Sequence, residues 1–150
     1  MVITNKEGMT SGKLFVRVTA GRGTFPIHGA TVYIREYDNE GEGHLLYILR
    51  TNEGGLSDTV TLSAPDSSSS LIPNSSTLPY SEYVVTVIKN GFYTVENIGV
   101  PIFEGITSIQ DVDMVPLSET DRLNGFDGIT KYNENGGYSK LNGNAAREGL

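Results

Sequence analysis

The chain has 150 residues, 37% of them apolar, no cysteine and a formal charge of −7. That length allows one domain with a core of its own, and 11 basic residues against 18 acidic ones leave no cationic footprint for nucleic acid or anionic lipid. The lack of cysteine excludes a disulfide framework, a thiolate zinc site and a cysteine nucleophile.

The opening residues, MVITNKEGMTSGK, hold no apolar h-region, and no run in the chain reaches the length of a membrane span. The expectation is a chain without a signal peptide, made in the cytoplasm and not inserted in a membrane. The first periodic stretch is GKLFVRVTA, with Leu14, Val16 and Val18 on one face and Phe15, Arg17 and Thr19 on the other, the period-two pattern of a half-buried strand. GRGTFP breaks it. ATVYIREY then predicts a second strand with Ala30, Val32 and Ile34 inward, and DNEGEG reads as the turn of a hairpin into HLLYILRT. A turn at Gly54 and Gly55 leads to a strand over Thr59 to Leu62.

From about Ala64 to Pro79 the chain carries a serine- and proline-rich loop, longer than compact domains usually contain. It is either a solvated insert or a partner-binding loop; Leu71, Ile72, Leu78 and Tyr80 are its candidate contacts. Alternation resumes at YSEYVVTVIKNGFY, with Tyr83, Val85 and Val87 on one face, and Asn90-Gly91 predicts a two-residue hairpin. The last predicted strand, SIQDVDMVPL, sets Ile109, Asp111, Asp113 and Val115 against Gln110, Val112 and Met114, and Pro116 marks an edge or a strand end. The total is about seven strands over residues 12–117, with an N-terminal arm over 1–11.

Beyond Leu117 the composition turns to glycine and asparagine, which predicts a C-terminal arm over 118–150. Leu123, Phe126, Ile129 and Tyr132 recur every third residue, followed by Tyr138 and Leu141. Three readings stand: a flexible tail, an arm whose apolar residues dock on a neighbour, or a weak helix.

No catalytic constellation emerges. His28 and His44 are the two imidazoles, both in turn contexts, and neither GxSxG nor HExxH occurs. Asp111 and Asp113 share a strand face, which reads as a solvated surface rather than an opposed pair of carboxylates. Asp38, Glu40 and Glu42 depart from a calcium loop after its first position. The expectation is a protein that is not an enzyme and takes neither metal nor cofactor.

PIHGATVYI, the PYSEYVVTVIKNGFY run and VPIFEGITSIQ with MVPL together resemble the carboxypeptidase-regulatory-like, transthyretin-like domain. More narrowly they resemble its variant in clostridial spore cortex-lytic and peptidoglycan-associated Firmicutes proteins. The resemblance implies an all-β, transthyretin-like (prealbumin-like) Greek-key sandwich with extended terminal arms. It also implies an accessory role, because the hydrolase of those enzymes lies in a separate domain. The resulting expectation is a structural subunit of a larger bacterial or phage assembly, such as a phage tail, virion, spore or surface appendage. Its partners would be subunits of the same or a neighbouring type. The alternative is a module that binds cell-wall glycan (peptidoglycan), through Tyr33, Tyr47, Tyr80 and Tyr93.

Overall fold

A computed structural model describes residues 9–38, 41–66, 78–125 and 129–133. Among them nine strand segments and one short helix form two sheets. The strands are β1 (Met9–Ala20), β2 (Phe25–Pro26), β3 (Thr31–Asp38), β4 (Gly41–Arg50), β5 (Val60–Pro65), β6 (Ser81–Ile88), β7 (Thr94–Ile102), β8 (Thr107–Met114) and β9 (Ile129–Asn133); the helix is α1 (Glu119–Leu123).

In the first sheet β1 is central. Lys13 and Leu14 pair both with β5 and with β8, and Thr19 and Ala20 pair both with β2 and with β8. β8 therefore runs along one edge of β1, and β5 and β2 share the other. The second sheet has the order β4-β3-β6-β7-β9. All pairings are antiparallel except β1 with β8 and β7 with β9. This is an all-β, sandwich-like arrangement of two sheets.

The core follows from period-two alternation. Leu14, Val16 and Val18 of β1 face inward with Leu62 of β5 and Val112 and Met114 of β8, and the second sheet supplies Val32, Ile34, Val85, Val87, Val95, Val100 and Ile102. Removing each such side chain from water contributes about 1.5–3 kcal/mol, and their common inward parity makes a one-residue slip of any strand costly. Ala30, also fully buried, sits where the chain enters β3.

Several elements differ from expectation. β1 begins at Met9 rather than Gly12, because Met9, Thr10 and Ser11 pair with Pro65, Ala64 and Ser63. Nine segments replace about seven; β2 is only two residues long, and β9 lies beyond Leu117. Asn90-Gly91 does form a turn, closed by Phe92 N–H donating to the Lys89 carbonyl at 3.1 Å with Gly91 at φ 90°. It is not a two-residue hairpin loop, since the β6–β7 ladder closes only at Val87 and Val95. The intervening backbone instead continues β8: Tyr93 N–H donates to the Val115 carbonyl, Leu117 N–H to the Gly91 carbonyl, and Phe92 bridges Pro116.

The segment from Ser118 on carries structure of its own. Ser118 caps α1 by accepting the Asp121 N–H at 3.0 Å, and the Tyr93 hydroxyl donates to the Asp121 carboxylate. β9 then adds to the chain's own second sheet, with Thr94, Glu96 and Ile98 opposite Ile129, Lys131 and Asn133.

Candidate functional site

β3 ends and β6 begins side by side, with Glu36 opposite Tyr83 in the antiparallel ladder. That register brings two acidic–aromatic pairs, Glu36-Tyr37 and Glu82-Tyr83, together at one end of the second sheet. With Leu78, Tyr80 and Ser81 they line an open depression of about 360 Å³. Three tyrosines and two glutamates are thus among the residues that border one hollow, and no lysine or arginine is among them.

The aromatic groups are held in different ways. Tyr83 is 6% exposed and its hydroxyl donates to the Ser63 carbonyl of β5 at 2.7 Å. Tyr47 donates likewise to the Thr61 carbonyl at 2.9 Å. Carbonyls two residues apart on a strand point to the same side, so these two tyrosines of the second sheet close the edge of β5 that faces away from β1. The Tyr80 ring packs on Phe103, centroids 5.3 Å apart at 56°, and Tyr37 is 39% exposed. Glu36 pairs with His44 at 3.1 Å.

Burial, with the Glu36 charge adding to it, pushes the Tyr83 phenol from 10.0 up to about 12. The fold thus favours the neutral phenol. Its contribution is fully present below the ordinary tyrosine range and is lost as pH rises from about 10 through about 12. Tyr83→Phe is expected to flatten the alkaline fall in stability across that window, while costing about 1 kcal/mol at neutral pH through the lost bond to Ser63. Urea melts at stepped pH check both, and a decline as steep as that of the parent chain would refute the assignment.

Of the expected loop contacts, Leu78 and Tyr80 lie in this hollow, whereas Leu71 and Ile72 fall outside the described residues. Of the expected arm contacts, Leu123 is 73% exposed on α1, the backbones of Ile129 and Tyr132 lie in β9, and Phe126, Tyr138 and Leu141 fall outside the described residues. Tyr33 points outward from β3, Tyr47 is turned toward β5, and Tyr93 sits against α1. The four tyrosines proposed for glycan therefore do not share one face. The sequence places Tyr83 on one face of its strand but does not mark Glu36, Tyr37 or Glu82; the repeated Glu-Tyr in REYD and YSEY is the available signal, and only the β3–β6 register brings the two pairs together.

Elsewhere the polar groups serve structure. Arg17 Nε and Nη2 donate to Asp111 at 2.5 and 3.1 Å across the β1–β8 ladder, which raises the arginine's already high pKa, and Asp113 accepts the Arg22 N–H at 3.0 Å. His28 is exposed at its corner. Asn97, 2% exposed on the inner face of β7, keeps a buried side-chain oxygen with no hydrogen-bond donor among the described residues. Among the described residues no group of three or more His, Asp or Glu is placed to hold a metal ion, and no helix is long and apolar enough to cross a membrane.

The sequence matches no protein-family model and no curated protein. Among solved structures it is similar to the crystal structure of chlorocatechol 1,2-dioxygenase from Pseudomonas putida, with 13% identity, a TM-score of 0.43, and coverage of 75% of this chain and 62% of that one. It is also similar to that of 3-chlorocatechol 1,2-dioxygenase from Rhodococcus opacus 1CP, with 14% identity, a TM-score of 0.36, and coverage of 65% and 46%. The chain thus spans less than two thirds of the length of either. Likeness this loose transfers neither an activity nor a ligand.

Proposed function

We propose that the chain is a non-enzymatic structural and interaction subunit of a larger bacterial or phage assembly, built on a transthyretin-like Greek-key sandwich. The observation that carries this reading is β9: residues that follow the sandwich in sequence join the edge of β7 through main-chain pairing. Strand addition of this kind draws affinity from backbone groups and asks little of side chains. The same mode would let such an arm, or a neighbour's, engage further edges. Among the described residues β4 and β9 flank the second sheet and β8 flanks the first, while the edge of β5 is closed by Tyr47 and Tyr83. Leu123, exposed on a helix with no buried residue, offers an apolar contact as well. A phage tail, a virion, a spore layer and a surface appendage all suit a subunit of this design.

Light scattering on three lengths of the chain tests the reading: the full 150 residues, a chain ending at Asn133 that keeps β9, and one ending at Leu117. The full chain is expected to form larger species, the shortest to be monomeric, and circular dichroism to report both truncated chains as folded. Monomers at every length would overturn self-assembly through the arm.

A further inference from the structure

We propose that Arg50 and Lys89 form a binding site for a single oxyanion, in the open space in front of Gly29 at the end of the second sheet where β4 and β6 stop and β3 begins. The ligand is a carboxylate or phosphate group, supplied by an acidic side chain of a neighbouring subunit or by free phosphate. Only the first of these sources rests on the assembly reading.

The register of the second sheet brings the two cations together. Thr31, at the start of β3, pairs with Arg50 of β4 on one side and with Ile88 of β6 on the other, and Lys89 follows Ile88 directly. Gly29 lies two residues before Thr31, within reach of both long side chains. A Cβ at Gly29 would stand 3.4 Å from Lys89 Nζ and 3.9 Å from Arg50 Nη2. Two cationic nitrogens thus flank one point, and glycine puts no side chain between them.

Among the described residues no carboxylate neutralises them. Arg50 Nη2 donates to the Gly29 carbonyl at 3.4 Å, a long bond to a neutral group, and neither Arg50 nor Lys89 forms an ion pair with any described residue. Arg17, by contrast, is matched by Asp111. Like charges held this close repel one another. In a chain with 18 acidic residues against 11 basic ones, two adjacent cations left without a carboxylate are the arrangement that an anion from outside would complete. The guanidinium is a planar fork that takes two oxygens of one group, and the ammonium is a compact charge that takes another. Arg50 is exposed and Lys89 half-buried, so the space between them opens to solvent. Two cations suit one oxyanion; a nucleic acid or an anionic bilayer would need a broad basic field, which a net charge of −7 denies.

Inorganic phosphate and acetate, titrated into the full chain at low concentration and read by amide NMR, test the site. Saturable shifts are expected at Gly29 to Thr31, Arg50 and Lys89, with the β1–β8 ladder unmoved. Lys89→Gln and Arg50→Gln should each weaken binding about three- to fivefold, the scale of an exposed charge pair. Lys13→Gln, which removes an exposed charge from the first sheet, should leave it unchanged. Shifts that never saturate, or equal weakening by Lys13→Gln, would mean an adventitious ion only and overturn the site. Light scattering on the same samples separates the sources. Loss of the larger species on adding phosphate and in Lys89→Gln, but not in Lys13→Gln, assigns the oxyanion to a neighbouring subunit. Larger species indifferent to both, with the shifts intact, assign it to free phosphate. Monomers throughout, with the shifts intact, would overturn the assembly reading and leave the site standing.

Discussion

Gly55→Val is expected to destabilise the sandwich by about 4 kcal/mol or more, the largest effect of any single change considered. Asn52 to Gly55 form a tight turn in which the Asn52 carbonyl accepts the Gly55 N–H at 2.9 Å, while the Asn52 side-chain oxygen accepts the N–H groups of Gly54 and Leu56. Gly55 closes it at φ 80°, a region a β-branched residue avoids. Space forbids a side chain as firmly as the dihedral does. A Cβ at Gly55 would stand 2.4 Å from the Val18 carbonyl oxygen and 3.2 Å from Ile27 N, both backbone atoms. The Val18 carbonyl cannot retreat without losing the Ile27 N–H that it accepts at 2.9 Å, and the Gly55 carbonyl itself accepts the Val18 N–H at 2.7 Å. One residue away, a Cβ at Gly54 meets nothing nearer than the Asn52 side-chain oxygen at 3.4 Å. Gly54→Ala should therefore stay within about 1 kcal/mol of the parent. Urea midpoints of the two variants check the contrast; similar losses in both would show that turn entropy, rather than the close approach to β1, governs the site.

Thr51→Val should cost about 2–5 kcal/mol although it barely changes the shape of the residue. Thr51 is 3% exposed, and its hydroxyl accepts the Ala30 N–H at 2.9 Å while donating to the Ile27 carbonyl at 2.6 Å. Its backbone makes two more bonds to the same corner, donating to the Ala30 carbonyl and accepting the Gly29 N–H. Valine leaves a buried donor and a buried acceptor without partners, and the corner that passes the chain from β1 into β3 loses its side-chain tie. Thr51→Ser keeps the hydroxyl and is expected to recover most of the loss. Thermal melts of the two variants separate the hydroxyl from the methyl; equal destabilisation by serine and valine would assign the role to packing instead.

What the sequence made legible was parity. Alternation groups Leu14, Val16 and Val18 on one face, Tyr83, Val85 and Val87 on another, and Ala30, Val32 and Ile34 inward, and all nine are buried. Alternation is local, so it could not say which strands lie side by side. The parallel pairing of β1 with β8, and the meeting of Glu36 with Tyr83 that creates the hollow, are long-range registers with no local signature. The turn at Gly91 is visible in its residue types, but its reach is not, because Phe92 and Tyr93 find main-chain partners at Val115 to Leu117 rather than on β6. β9 has no local signature for a related reason. ITKYN is short, and it is a strand only because the edge of β7 offers a ladder to it.

The parallel ladder between β1 and β8 also bears on how the polypeptide matures. Arg17 and Asp111 touch although 94 residues separate them. At a synthesis rate of about 5–20 residues per second, β1 leaves the ribosome roughly 5–20 s before the strand that completes its sheet. Through that interval the inward row Leu14, Val16 and Val18 lacks Val112 and Met114 beside it, and one whole edge of β1 is open to any strand it meets. Every other neighbour can dock earlier, yet none substitutes for β8. The pairing of β8 is thus a late, non-local event, the kind that folds slowly, and a nascent chain stalled before Thr107 would present holdase chaperones with one unpaired edge of β1 and no strand of its own to close it.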